Sequence, residues 1–349
     1  MLGKLADTCV VHLTPDIISL AVSSTASSGV QVWADVPQRA HFLEYRIESR
    51  AEGNRITFFA TVENLQRALK SASAPQVART QVKLTRRVQG GPTLTFEITL
   101  LDSNVRRDLA ASRARPADRD RIGRAPQVLV SHDVPLRIVQ DAEVSPRRPL
   151  SRLPPPSTRR ARPAQELHSY TEPAFRDDTA TLSIVLGPPD LRALKNVVER
   201  MKVFSDYVQL HACEKGGSGP ASESAQLQLA VEKDHLVTIT TTFAKLVRFR
   251  PGQEHAIVVD PAASRCSTCA PSTGAQSQQL SEAEAKVELK LLAKVLNGIV
   301  GSEIRMHNSI CCVVPGRVVL LKVFLPSLGS DDQRLRASVV FYLPVHYCD

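Results

Sequence analysis

The sequence predicts an α+β fold of two similar domains. Three observations carry that prediction: short stretches of period-two alternation, an order of elements that occurs twice, and a Pro/Arg-rich stretch between the two occurrences. With 349 residues, 43% of them hydrophobic, the chain has enough apolar material for two cores.

Alternation comes first. Val30–Val36 (VQVWADV), Thr93–Leu100 (TLTFEITL), Gln226–Glu232 (QLQLAVE) and His235–Phe243 (HLVTITTTF) place apolar residues at every second position. Most are rich in β-branched residues, as half-buried strands are. Helical periodicity is confined to a few places.

The repeat emerges from the order of elements. In the first half, the extended run Arg55–Ala60 flows directly into a helix, Val62–Ala72. In the second, Lys286–Leu289 flows into Lys290–Ile299. Three strands precede each: Cys9–Thr14, Ile18–Ser23 and Val30–Val36, against Tyr207–Cys213, Gln226–Glu232 and His235–Phe243. Three follow each: Gln81–Thr85, Thr93–Leu100 and Val128–Val139, against Glu303–Val314, Val318–Leu325 and Ala337–Pro344. The second half opens with a further strand, Thr181–Leu186, and a helix from Asp190, an N-cap residue type, to Phe204. The first half has only Met1–Ala6 to set against the end of that helix. The expectation is an N-terminal domain lacking about 20 residues, judged by usual element lengths; a genuinely shorter domain with an uncovered sheet edge is the alternative.

Three stretches carry too little apolar surface to offset chain entropy: Asp102–Ala125, Val144–Asp178 and Pro251–Gln279. The predicted organisation is a domain over 1–139, a linker over 140–178, and a second domain over 179–349 with an insertion at 251–280. The linker has six arginines and no acid between Val144 and Pro163. It has the composition of a nuclear import signal or a DNA-contacting tether. Ser145 and Ser157 are candidate phosphorylation sites that would lower its charge.

The net charge of +9 favours an acidic partner such as nucleic acid, although the Arg-rich linker inflates the total. No apolar run reaches the roughly 18 residues of a membrane span, and the first residues lack a signal-peptide pattern. The expectation is a soluble, intracellular protein with reduced thiols and no membrane partner. Walker A, G-x-G-x-x-G, H-E-x-x-H and G-x-S-x-G motifs are absent, which leaves the common phosphate-loop, dinucleotide and hydrolase classes without support. Cys266 and Cys269 have metal-ligand spacing but lack a second pair, so no metal and no cofactor is expected. Gly216–Gly219 reads as a hairpin turn. His132 and Asp133 are adjacent on a strand and point to opposite faces, so no catalytic residue is assigned.

Several segments in this order resemble a known family: Leu5–Thr8, Thr14-Pro15-Asp16, Gly29–Trp33, Glu63–Lys70 and Val130–Ile138 in the first half, and Leu194–Met201, Val237–Phe243 and Lys290–Leu296 in the second. The chain resembles the Hus-type subunit of the heterotrimeric DNA-damage checkpoint clamp, the nine-one-one complex, in the PCNA-like sliding-clamp family. The likeness covers most of the chain outside the three loops. It departs in the absent N-terminal strand, the long Arg-rich linker and the 251–280 insertion.

The resemblance implies two similar domains with outer antiparallel sheets and inner helices lining a hole. It implies a nuclear, non-enzymatic scaffold whose partners are two other clamp subunits, duplex DNA, a clamp loader, and repair and checkpoint proteins. A PCNA-type homotrimer and a nucleic-acid-modifying enzyme are the alternatives. In the helix over Asp190–Phe204, Leu191, Leu194, Val197, Val198 and Met201 share one face. By resemblance the other face meets phosphates. The expected DNA-facing residues are Lys4, Arg67, Lys70, Arg192, Lys195, Lys202, Lys290 and Lys294. The expected subunit-interface residues are Val130, His132, Val134 and Leu136 on one strand and Val237, Ile239 and Thr241 on another. Aromatic residues, 5% of the chain, fall mostly in strands, which speaks against base stacking.

Overall fold

Period-two stretches become strands because alternate side chains reach a common core while the others meet solvent. The computed structural model describes residues 3, 5–23, 29–51, 53–86, 90–101, 127–139, 181–214, 224–233, 237–249, 282–301, 308–325 and 336–346. The predicted loops over Asp102–Ala125, Val144–Asp178 and Pro251–Gln279, and Cys266, Cys269 and Gly216–Gly219, lie outside these residues.

In the first half the elements are β1 (Thr8–Leu13), β2 (Ile17–Ser23), β3 (Gln31–Pro37), the short α1 (Gln38–His41), β4 (Ile56–Thr61), α2 (Val62–Ala72), β5 (Val77–Arg86), β6 (Pro92–Leu101) and β7 (Gln127–Ile138). The second half holds β8 (Leu182–Leu186), α3 (Pro188–Met201), β9 (Tyr207–Glu214), β10 (Ser224–Lys233), β11 (Val237–Arg248), β12 (Glu282–Glu288), α4 (Leu289–Val300), β13 (Ser309–Val314), β14 (Val318–Phe324) and β15 (Ser338–Pro344).

The direct strand-to-helix junctions are present: Thr61 ends β4 and Val62 begins α2, as Glu288 ends β12 and Leu289 begins α4. Several boundaries differ from expectation; α3 ends at Met201 rather than Phe204, and β13 is described from Ser309 rather than Glu303. Gly187, not Asp190, caps α3; Asp190 sits one turn in, where its Oδ2 accepts a hydrogen bond from the Gly187 N–H at 2.9 Å. Two prolines at the start of α3 need no intrahelical donor, so the helix begins before the acid. β5 runs from Val77, not Gln81, because antiparallel pairing with β6 continues along its polar stretch. β11 extends to Arg248 through a bulge. There Ala244 and Lys245 oppose the single residue Gln226, and Lys245 adopts φ 62°.

The second half is two consecutive strand–helix–three-strand units, and each lends its first strand to the other. The strand order is β12-β9-β10-β11, then β8-β13-β14-β15. The order continues through β15–β3 pairing, with Phe341 opposite Val32 and Val339 opposite Ala34, into β3-β2-β1-β4 and then β7-β6-β5. Three groups therefore have four strands and the last has three. Its absent member is the counterpart of β8: among the described residues β5 pairs only with β6.

One core runs along the helix-bearing face through both halves, from Cys9, Phe58 and Ala68 to Leu182, Leu296 and Phe341. A second, small cluster lies on the opposite face of the first half. Val10 and Ala21 are buried there under Trp33 and Phe59, and the Arg137 guanidinium stands 4.2 Å from the Phe59 ring centroid. Phe341, fully buried where the halves join, ties both. Phe341→Ala is expected to cost about 3–5 kcal/mol, read as a lowered denaturation midpoint with the two halves still unfolding together.

Candidate nucleic-acid interface

Each helix turns its apolar stripe to the sheet, so its charged residues share the remaining face. In α4 the eight residues Leu289, Leu291, Leu292, Ala293, Val295, Leu296, Gly298 and Ile299 are buried. Lys290 and Lys294, four apart, are the exposed positions of that helix. On α2, Val62 and Ala68 are buried, and Glu63, Arg67 and Lys70 project to solvent. On α3, Leu191, Leu194, Val198 and Met201 are buried, while Arg192, Asn196 and Arg200 form the exposed line.

This places the expected DNA-facing residues as follows. Arg67, Lys70, Arg192, Lys202, Lys290 and Lys294 are exposed. Lys195 is half-buried at the flank of the helix, about 60° from the Arg192 direction at 100° per residue. Lys4 lies outside the described residues. Arg200 was missed, although its spacing from Arg192 and Asn196 (i, i+4, i+8) is visible in the sequence.

Carboxylates temper the face. Glu63 pairs with Arg67 at 2.9 Å, Glu199 with Lys202 at 3.1 Å, and Asp206 with Lys290 at 3.0 Å. Exposed pairs of this kind are weak and screened by salt, so a phosphate can compete for the cation. Lys70, Arg192, Lys195, Arg200 and Lys294 have no ion pair among the described residues. Asn297 joins α4 to α3 by donating Nδ2–H to Glu199 Oε1 at 2.5 Å. That bond, then the one from Lys202, holds the Glu199 carboxyl below its ordinary range. The Asp206 hydrogen bond and charge push the Lys290 ammonium up, so it stays charged.

Among the described residues, the two strands expected at subunit contacts have outer edges that are unpaired over most of their length. β7 pairs with β6 along Gln127–Pro135 and reaches β4 only with its last three residues. β11 pairs with β10 and meets β8 only at Val247 and Arg248, beyond the bulge. Along β7, Val130, His132, Val134 and Leu136 all face the helix side, since their partners include the buried Ile98 and Phe96. Val134 is 1% exposed and Leu136 is buried, so at this edge the backbone and the residues near its open end are what is accessible. Val128 and Leu129 there are 54% and 64% exposed, and were not among the expected residues. On β11, Val237 is 51% exposed, and Ile239 and Thr241 are half-buried.

Asp133 accepts a hydrogen bond from Thr95 Oγ1 at 2.7 Å on the face opposite His132. Burial pushes the Cys9 thiol up to about 11 and the Cys311 thiol up to about 12, which keeps both protonated and unreactive. Among the described residues, no group of three His, Cys, Asp or Glu side chains converges as a metal site.

Comparison with known proteins follows the same lines. A family model described as "Hus1-like protein" matches residues 1–150 and 159–346. The human "Checkpoint protein HUS1" is 25% identical over 340 residues, covering 94% of this chain and 92% of that protein. The "Checkpoint protein hus1 homolog" of Dictyostelium discoideum is 24% identical over 207 residues, 59% of this chain and 57% of its own. Among solved structures, the Proliferating Cellular Nuclear Antigen of Entamoeba histolytica superposes with a TM-score of 0.50 at 9% identity, covering 99% of this chain and 92% of that one. PCNA from Thermococcus kodakaraensis gives 0.48 at 14% identity, with 99% and 93% covered. The fold is that of a PCNA-like clamp.

Replacing Asn297 by Ala removes the main cause of the Glu199 shift. Its midpoint is expected to rise toward that of free Glu, measured by carboxyl NMR titration. In the unaltered chain the folded-state pKa is lowered. The stability it contributes is therefore present above the unfolded-state pKa and is lost as pH falls through the folded one.

Proposed function

This chain belongs to the Hus1-like protein family, and from that premise we propose that it is one subunit of a heterotrimeric ring that encircles duplex DNA at damage sites. It acts there as a scaffold for checkpoint and repair proteins and carries out no reaction itself. The single observation that supports this most is the internal junction. β15 and β3 pair across the two halves. Their counterparts by repeat position are β7 and β11, whose outer edges are open over most of their length among the described residues. Pairing β7 of one subunit with the β11 counterpart of the next repeats the internal contact head to tail. A contact of that kind forms a closed ring when its rotation completes a circle. The two neighbours are taken to be different chains because the named relatives are checkpoint proteins.

In such a ring the helix face lines the hole. Lys70, Arg192, Arg200 and Lys294 meet phosphates as mobile point charges or forks, which gives affinity without sequence reading. Arg67, Lys202 and Lys290 join them by exchanging a carboxylate for a phosphate. Lys195 acts from the flank. Loading by an ATP-driven clamp loader, and nuclear residence aided by the Arg-rich linker over 140–178, complete the reading.

The test is charge reversal on the helix face. In the assembled heterotrimer, Lys70→Glu, Arg192→Glu and Lys294→Glu together are expected to weaken duplex binding. They should also flatten the dependence of log K on log salt by about 0.9 for each phosphate no longer neutralised, with subunit association unchanged. Unaltered affinity and slope would remove these residues from the DNA path.

A further inference from the structure

Three carboxylates on the helix face are each paired with a cation: Glu63 with Arg67, Glu199 with Lys202 and Asp206 with Lys290. Two of them are loosely held. The Glu63 and Asp206 side chains are 78% and 69% exposed, and among the described residues each bonds only its paired cation. When a phosphate draws that cation away, an exposed side chain of this kind rotates into water within nanoseconds.

Glu199 differs. Its side chain is 37% exposed, and two donors hold it from opposite sides. Asn297 on α4 donates Nδ2–H to Oε1 at 2.5 Å, and Lys202 Nζ donates to Oε2 at 3.1 Å. The amide of Asn297 is neutral, so a phosphate has no charge to take from it. It projects from a helix packed against α3. The carboxylate therefore keeps its place after Lys202 has turned to another partner. Lys195 lies four residues before Glu199 and Lys202 three after, spacings that share one flank of a helix. Both ammonium groups act on the carboxylate. A fixed negative charge thus stands between two cations on the face that holds the exposed basic residues.

We propose that Glu199, anchored by Asn297, attenuates this face: it is a carboxylate fixed in the path of the phosphates, and it keeps Lys195 and Lys202 from gripping a duplex fully. The inference rests on the reading above that the face meets DNA. A ring that encircles its ligand stays on by topology and gains nothing from a tight grip. Each phosphate neutralised raises affinity and steepens its salt dependence. A fixed anion acts against both, over a range of about 8 Å at physiological salt. Its effect therefore falls on its own flank and leaves the other cations of the face to act as before. Asn297 is a positioning residue, since it acts through Glu199.

The test is duplex binding by the assembled heterotrimer, measured across a range of salt. Glu199→Gln removes the charge and keeps the oxygen that accepts from Asn297. It is expected to tighten binding by about two- to fivefold and to steepen log K against log salt by about 0.9 for each phosphate newly neutralised. Asn297→Ala releases the carboxylate without neutralising it, so a smaller gain is expected. Added to Glu199→Gln, it should contribute nothing more. Glu63→Gln is the control: its carboxylate already yields, so its gain should fall below that of Glu199→Gln. Unchanged affinity and slope with Glu199→Gln, in a ring whose own binding is salt-dependent, overturns the inference and leaves the functional reading standing. Equal gains from Glu63→Gln and Glu199→Gln overturn it too, as does a full further gain from Asn297→Ala in the double variant. If the Glu199→Gln chain does not assemble, Asn297→Ala alone decides, and no gain there overturns the inference. A ring without salt-dependent duplex binding overturns both this inference and the reading it rests on.

Discussion

Everything in this fold follows from the fact that no strand–helix–three-strand unit closes its own sheet. In the second half, β12 completes the group formed by β9, β10 and β11, and β8 completes the group formed by β13, β14 and β15. In the first half, β4 completes β1, β2 and β3. Three of the four groups are therefore completed by a strand from another unit. The pairing of β15 with β3 extends the same rule across the two halves. Pairing between segments so distant in sequence carries the entropy of closing long loops. Continuous apolar burial along the helix face, from Phe58 to Phe341, offsets it.

The same rule explains the exposed edges. A sheet built by donation has an open place wherever a donor is not present. β7 and β11 have largely free outer edges among the described residues, and in the head-to-tail assembly proposed above their complements are other chains. β5 is open because the first half, among the described residues, has no counterpart of β8. These edges differ in chemistry. β7 and β11 carry Val128, Leu129 and Val237 near their open ends, whereas β5 carries three cations.

Much of this was legible in the sequence. Period two located most strands, and the direct junctions at Thr61–Val62 and Glu288–Leu289 gave away the duplication. Less was legible where local pattern carries no information. The polar start of β5 is a strand only because β6 pairs with it. The bulge at Lys245 is a backbone event without a glycine to mark it. On the helix face the cations could be named, but their partners could not. Glu199 and Asn297 meet across 98 positions, and Asp206 reaches Lys290 from a turn. Packing against α4 fixes the direction of the buried stripe, which leaves Lys195 half-buried at the flank and Arg200 exposed.

The central claim is that the open edges of β7 and β11 are what join this chain to its neighbours. It is tested most directly by amide exchange of the chain alone and in complex with two other checkpoint-clamp subunits. The account predicts that assembly slows exchange along 127–135 and along 237–245, with the β15–β3 junction protected in both states. Assembly that leaves both edges exchanging freely would contradict it, as would a stable homotrimer of this chain in which they are already protected.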